Sequence, residues 1–174
     1  VEISGTALFN STKYREKISK NETVFLNILY NKLNNTALSC SIGDNKKVSL
    51  NIVDSKTIRK VTIKNGQPVF KIKVKMEADI SEISGGVSSA MKSKDIEKIA
   101  HVSEEYIEKE TKNMLYSLYE MYNSDSVGLA RLIYICHKDF YKENEKNLDS
   151  VLQNSIYEVE VDLKIRRIGH EFIT

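Results

Sequence analysis

Hydrophobic and polar residues alternate cleanly over residues 70–80. Phe70, Ile72, Val74, Met76, Ala78 and Ile80 fall on one side, and Lys71, Lys73, Lys75, Glu77 and Asp79 on the other. A period of two with one apolar side predicts a half-buried antiparallel strand. The end of the chain repeats the pattern: Tyr157, Val159, Val161, Leu163 and Ile165 alternate with Glu158, Glu160, Asp162, Lys164 and Arg166, in a charge order that mirrors the earlier strand. Ahead of the first strand, Ile58, Val61 and Ile63 lead into Asn65-Gly66, a dipeptide that accepts the positive φ angles of a type I′ hairpin turn. Pro68, the single proline, stands where it can begin a strand. Residues 37–43 form a short apolar run, and residues 47–54 put Val48, Leu50 and Ile52 on one side; both predict strands. Residues 2–9 predict a further strand, with Gly5 placed where a missing side chain lets another backbone approach.

Elsewhere the period lengthens to that of a helix. Ser19 and Glu22 form a capping box ahead of Val24, Phe25, Ile28, Leu29 and Leu33, a helix expected to end near Asn34 and Asn35. Over 95–123, Ile96, Ile99, Ala100, Ile107, Met114, Leu115, Leu118, Met121 and Tyr122 trace one stripe, the longest predicted helix, with a break expected within 101–103. Asp125 and Ser126 then cap a run through Leu129, Leu132, Ile133 and Ile135, and a short helix ends near Gln153. Strands at both chain ends and long helices in the second half predict an α+β fold, a mostly antiparallel sheet with helices packed on one face.

Composition narrows the class. The 174 residues suit a single domain over 1–174, and 41% hydrophobic with 29% charged residues is a globular balance. No stretch approaches the roughly 20 apolar residues of a membrane-spanning helix. The 26 basic and 24 acidic side chains are interspersed and leave a net charge of +2, so no nucleic-acid footprint is expected. Val1 follows no methionine or apolar leader, and the chain is expected to be a fragment without a secretion signal of its own.

Candidate chemistry is sparse. Phosphate-binding, zinc-protease, nucleophile-elbow and EF-hand motifs are all missing from the sequence. His101, His137 and His170 are scattered, and no cofactor or metal is expected. Cys40 and Cys136 lack ligand or redox spacing; they read as buried free thiols, with one disulfide between them open if the domain lies outside the cytosol. Glu104, Glu105 and Glu108 read as a solvated helix surface near Lys109 and Lys112. Tyr106, Tyr116, Tyr119 and Tyr122 read as core or rim packing, and Lys71, Lys73 and Lys75 as the open side of a sheet.

The order of these elements resembles a known family. The opening "VEISGTALFNSTKYREKISKNET" resembles the start of the C-terminal domain in the Ger(x)C family of spore germinant receptor C-subunits, a strand ending in G-x-A-x-F, a Lys-containing turn and an E-T pair opening a helix. Here these are Gly5, Ala7, Phe9, Lys13, Glu22 and Thr23. Then come "KVKMEADISEIS" with Glu82, "DSVGLARLIYICHKDFY" with its Asp-x-x-Gly step at Asp125 and Gly128, and "YEVEVDLKIRRIGHEF" with Ile165 and Gly169. The family's frequent tryptophan before the last strand is absent, and Leu148, Val151 and Leu152 stand in that stretch.

The resemblance implies a non-enzymatic component of a spore germinant receptor, acting in receptor assembly or signal relay. It also implies a lipoprotein whose acylated cysteine lies upstream of Val1. Such a protein sits at the outer surface of the spore inner membrane beside integral A- and B-type subunits. The positions matching its motifs are Gly5, Glu22, Glu82, Asp125 and Gly128. Gly5 suits a tight backbone approach, Glu22 and Asp125 suit helix starts, and Gly128 suits close packing at a first turn. Glu82 is expected either to pair with Arg166 or Arg167 or to face a partner. Two other classes stay open: an extracytoplasmic small-molecule binding domain, which ligand-induced thermal stabilisation would reveal, and a hydrolase, which would need a nucleophile beside a base.

Overall fold

The computed structural model describes residues 5–10, 12–42, 46–84, 93–168 and 171–172. The fold is α+β, with a two-stranded and a five-stranded sheet. Strands β1 (Thr6–Asn10) and β2 (Lys13–Ile18) form an antiparallel hairpin. Helix α1 (Lys20–Leu29) follows, and then β3 (Thr36–Ser41), β4 (Lys47–Lys64) and β5 (Gln67–Ile83). Helix α2 (Ser93–Tyr116) runs into a π-helical turn (Ser117–Met121), after which come α3 (Leu129–Cys136), α4 (Lys138–Asn144) and α5 (Leu148–Gln153). Strands β6 (Ile156–Ile168) and β7 (Glu171–Phe172) close the chain.

The larger sheet has the order β3-β4-β5-β6-β7, antiparallel throughout except for the β5–β6 pair, which is parallel. That pairing explains the mirrored charges. The register sets Lys71 beside Glu158, Lys73 beside Glu160 and Glu77 beside Lys164. The corresponding ion pairs measure 3.1, 2.6 and 3.9 Å. The charged face of the sheet is thus a cross-strand ladder, and its lysine stripe is paired with acids on β6.

The two strands expected before Asn65-Gly66 are one strand of 18 residues. Its register against β5 shifts between Ser49 and Leu50 and again between Ile52 and Asp54. The second irregularity changes the parity of the buried side: Val48, Leu50 and Ile52 are buried before it, Val61 after it. One extra residue flips every following side chain, which is why the sequence reads as two segments. Asn65 and Gly66 both have positive φ, 50° and 74°, as a type I′ turn requires.

Helix α1 ends at Leu29, earlier than its hydrophobic pattern suggests, because Asn31 turns left-handed at φ 58° and releases the chain. Helix α2 runs without a break through 101–103 and buries Ser103, Ile107, Thr111, Met114 and Leu115. Its irregularity lies at its end, where the Tyr122 N–H donates to the Ser117 carbonyl at 2.9 Å. This helix packs against both β3 and β6, so the bulged sheet curls around it. One continuous core joins Leu8 and Ile18 of the hairpin, Leu26 and Leu29 of α1, the inner sides of β3–β6, and Ile133 of α3.

Candidate interaction surface

Four of the five motif positions fall at the hairpin, at the start of α1 and in the 122–129 segment. Gly5 has φ 108°, and a Cβ there would lie 2.2 Å from the Ile18 carbonyl oxygen. Only glycine lets the hairpin close at that point. The Thr6 and Thr23 hydroxyls share a hydrogen bond at 3.0 Å, fastening β1 to α1. At the start of α1 the Glu22 N–H donates to Ser19 Oγ at 3.2 Å, while the Ser19 N–H donates to Glu22 Oε2 at 2.8 Å. Glu22 therefore completes the capping box and satisfies a helix-terminal donor.

Asp125 organises the opposite side. It accepts from the Tyr119 hydroxyl at 2.7 Å, the Leu129 N–H at 2.7 Å and the Ala130 N–H at 3.0 Å. One carboxylate thus ties the π-helical turn to the start of α3. Burial, with the Asp125 charge beside it, holds the Tyr119 phenol protonated well above its ordinary range. Gly128 does not serve close packing: an added Cβ would meet nothing within 4 Å. Its role is conformational, because it precedes α3 at φ 72°. The Ser124 hydroxyl donates to the Phe9 carbonyl at 2.8 Å, and the Asn10 amide to the Asn123 carbonyl at 2.7 Å, joining this segment to β1.

The framework carries exposed apolar side chains. Phe9 and Tyr14 are 52% and 57% exposed and meet edge to face at 5.9 Å. Met121, at the end of the π-helical turn, is 72% exposed. Large apolar groups held in water on a hydrogen-bonded frame suit contact with another protein.

Glu82 lies elsewhere, exposed and opposite Ser49. The guanidinium of Arg166 is engaged by Asp79 at 3.2 Å and Glu77 at 3.8 Å. Glu82 sits beyond the last β5–β6 register pair, Ile80 with Ile168. The adjacent Gly85-Gly86 loop, Gly169 and His170 fall outside the described residues. His137 faces the Val61 carbonyl at 3.1 Å, whereas His101 is exposed beside Glu104 and Glu105. Among the described residues no group of three or more His, Cys, Asp or Glu could hold a metal ion. No helix of the described residues is long and apolar enough to cross a membrane.

The two cysteines differ in exposure. Cys40 is buried and Cys136 exposed, and both are free, so the expected pair of buried thiols reduces to one. Burial pushes the Cys40 thiol up to about 12. The aromatic stripe divides as well. Tyr119 is buried and stacks on Tyr157 at 5.6 Å, and Phe70 also stacks on Tyr157 at 5.6 Å. Tyr106, Tyr116 and Tyr122 are half-buried against the core.

Sequence reading misses Glu104 and Glu108. Both sit on a face of α2 that looks solvated, yet Glu108 accepts the Val161 N–H at 2.9 Å and Glu104 the Leu163 N–H at 2.7 Å. They occupy the outward hydrogen-bonding edge of β6, which would otherwise stand open. Their spacing of four residues on a helix, ahead of a strand with alternating apolar residues, was the only available signal.

Comparison with known proteins agrees with this architecture. Residues 4–169 match the family model described as "Spore germination B3/ GerAC like, C-terminal". The chain is 25% identical over 122 residues to spore germination protein B3 of Bacillus subtilis strain 168, covering 70% of this chain and 33% of that protein. The crystal structure of the GerBC protein superposes with a TM-score of 0.81 at 22% identity, over 93% of this chain and 51% of that one. The chain thus spans well under two thirds of either relative. With the family model matching nearly its whole length, the chain belongs to the GerAC-like, C-terminal family, that of the Ger(x)C proteins of spore germination.

Proposed function

We propose that the chain is the C-terminal domain of a lipid-anchored germinant receptor C-subunit, acting in receptor assembly or signal relay during spore germination. The family match over residues 4–169 carries this reading. In it, an acylated cysteine upstream of Val1 holds the protein at the outer surface of the spore inner membrane, since two acyl chains anchor a protein without a spanning helix. The partners are the integral A- and B-type subunits. The exposed Phe9, Tyr14 and Met121, fixed by the Gly5 and Asp125 framework, are the contact surface for them.

The test uses spores whose C-subunit carries Phe9→Ser with Tyr14→Ser. Both side chains are exposed, so the purified variant should melt as the parent does. The spores should contain less of the A- and B-type subunits and respond more slowly to germinant. Unchanged subunit levels and unchanged germination in spores lacking the whole domain would overturn the proposal.

A further inference from the structure

A groove of about 230 Å³ lies between α1 and α2. Its apolar lining is Phe25 and Met114, both buried, with the half-buried Tyr106 ring set edge-on to Phe25 at 6.4 Å. Glu22 of α1 and Glu110 of α2 line it as well, and both are half-buried. Among the described residues no lysine, arginine or histidine lines the groove, and neither carboxylate forms an ion pair.

Both carboxylates keep unused acceptor capacity. Glu22 engages Oε2 with the Ser19 N–H, and Glu110 receives only a 3.5 Å contact from the Asn113 amide at Oε1. A carboxylate can accept about four hydrogen bonds. Burial first, and then the Glu110 charge, raises the Tyr106 phenol above its ordinary range, so that charge acts on the aromatic wall of the groove. Two partly desolvated like charges with no cation beside them are unfavourable. A cation seated between them removes that cost, and the aromatic rings favour the same kind of guest.

We infer that this groove takes a cationic side chain, lysine or arginine, of a partner polypeptide. Its apolar stem rests on Phe25 and Met114, and its charged head meets Glu22 and Glu110. Small-molecule sites generally run to about 300–1,000 Å³, and this groove is smaller, the size for one side chain. Ser117, also in the lining, begins the π-helical turn that ends at Met121, which is 72% exposed. A polypeptide seated in the groove covers that apolar side chain as well, whereas a free amine leaves it in water. The inference stands on this geometry and is independent of the receptor assignment.

The experiment follows the Tyr106 ring and the Glu110 amide by NMR in the isotope-labelled chain. The probe is the peptide acetyl-Ala-Leu-Lys-Leu-Ala-amide, with its norleucine counterpart and n-butylammonium chloride as comparisons. The lysine peptide should shift both signals saturably and the norleucine peptide should not, while butylammonium should need at least about tenfold higher concentration. Glu110→Gln should weaken binding of the lysine peptide about fivefold, as one charged partner is lost. Glu22→Gln should weaken it similarly with unchanged melting, because Gln serves the capping box as Glu does. Equal responses to the lysine and norleucine peptides, no saturable response to the lysine peptide, or unchanged binding in both variants would overturn the site. Butylammonium acting as well as the peptide would overturn the polypeptide occupant.

Discussion

Gly5 and Gly128 share a positive φ but differ in what surrounds them, and that difference predicts unequal costs. At Gly5 a methyl group would run into the Ile18 carbonyl, a backbone atom that cannot swing aside. Gly5→Ala should destabilise the chain by about 2 kcal/mol or more in urea unfolding, since strain and steric clash act together. At Gly128 the space is empty, so Gly128→Ala should cost only the left-handed backbone, about 1 kcal/mol, and Gly128→Asn less. Equal losses at the two sites would contradict this account.

The cysteines divide in the same local way. The Cys40 thiol ordinarily ionises near 9.0 and is pushed up to about 12, so at pH 8 iodoacetamide should label Cys136 alone until the chain is unfolded. The folded state holds the Cys40 proton more tightly than the unfolded state. Its contribution to stability is therefore complete below about pH 9 and falls away as pH rises towards 12. Labelling of Cys40 in the native chain at pH 8 would show that the site opens.

Among the elements, α2 does the most to shape the molecule. It fills the curl of the sheet with its apolar side and satisfies the outer edge of β6 with Glu104 and Glu108. Replacing both glutamates by Ala should speed exchange at the Val161 and Leu163 amides by about tenfold each while leaving Val159 unchanged. Should the Ala variant protect these amides as well as the parent does, a strand or water would have to be satisfying that edge. The β5–β6 ladder works alongside this edge. Its parallel register puts lysines beside acids along one exposed face, which keeps the open side of the sheet charged and unfavourable for stacking.

At the scale of the whole molecule the hairpin, the sheet and the helices share one core. Leu8 and Ile18 of the small sheet belong to the same buried cluster as Phe70, Tyr157 and Leu115. The Phe70–Tyr157–Tyr119 stack further binds β5, β6 and the π-helical turn. A single urea transition should result, with far-UV circular dichroism and tyrosine fluorescence coinciding. A first transition confined to the hairpin would show that the contact surface at Phe9 and Tyr14 is a separate unit.

Local rules determined much of this protein from its sequence alone. Period-two alternation marked β5 and β6, Asn65-Gly66 marked the hairpin of β4 with β5, and the Ser19–Glu22 pair marked the start of α1, because each depends on a few neighbouring residues. Ordered motifs from Gly5 to Gly169 pointed to the family that residues 4–169 match. The tertiary structure alone decided what depends on distant partners. The parallel register of β5 with β6 gives the mirrored charges their meaning, and the bulge near Val53 merges two apparent strands. The same holds for Glu104 and Glu108, whose acceptors meet donors more than fifty residues away. A carboxylate on a helix surface looks the same in sequence whether it faces water or a strand edge, and only folding places that edge beside it.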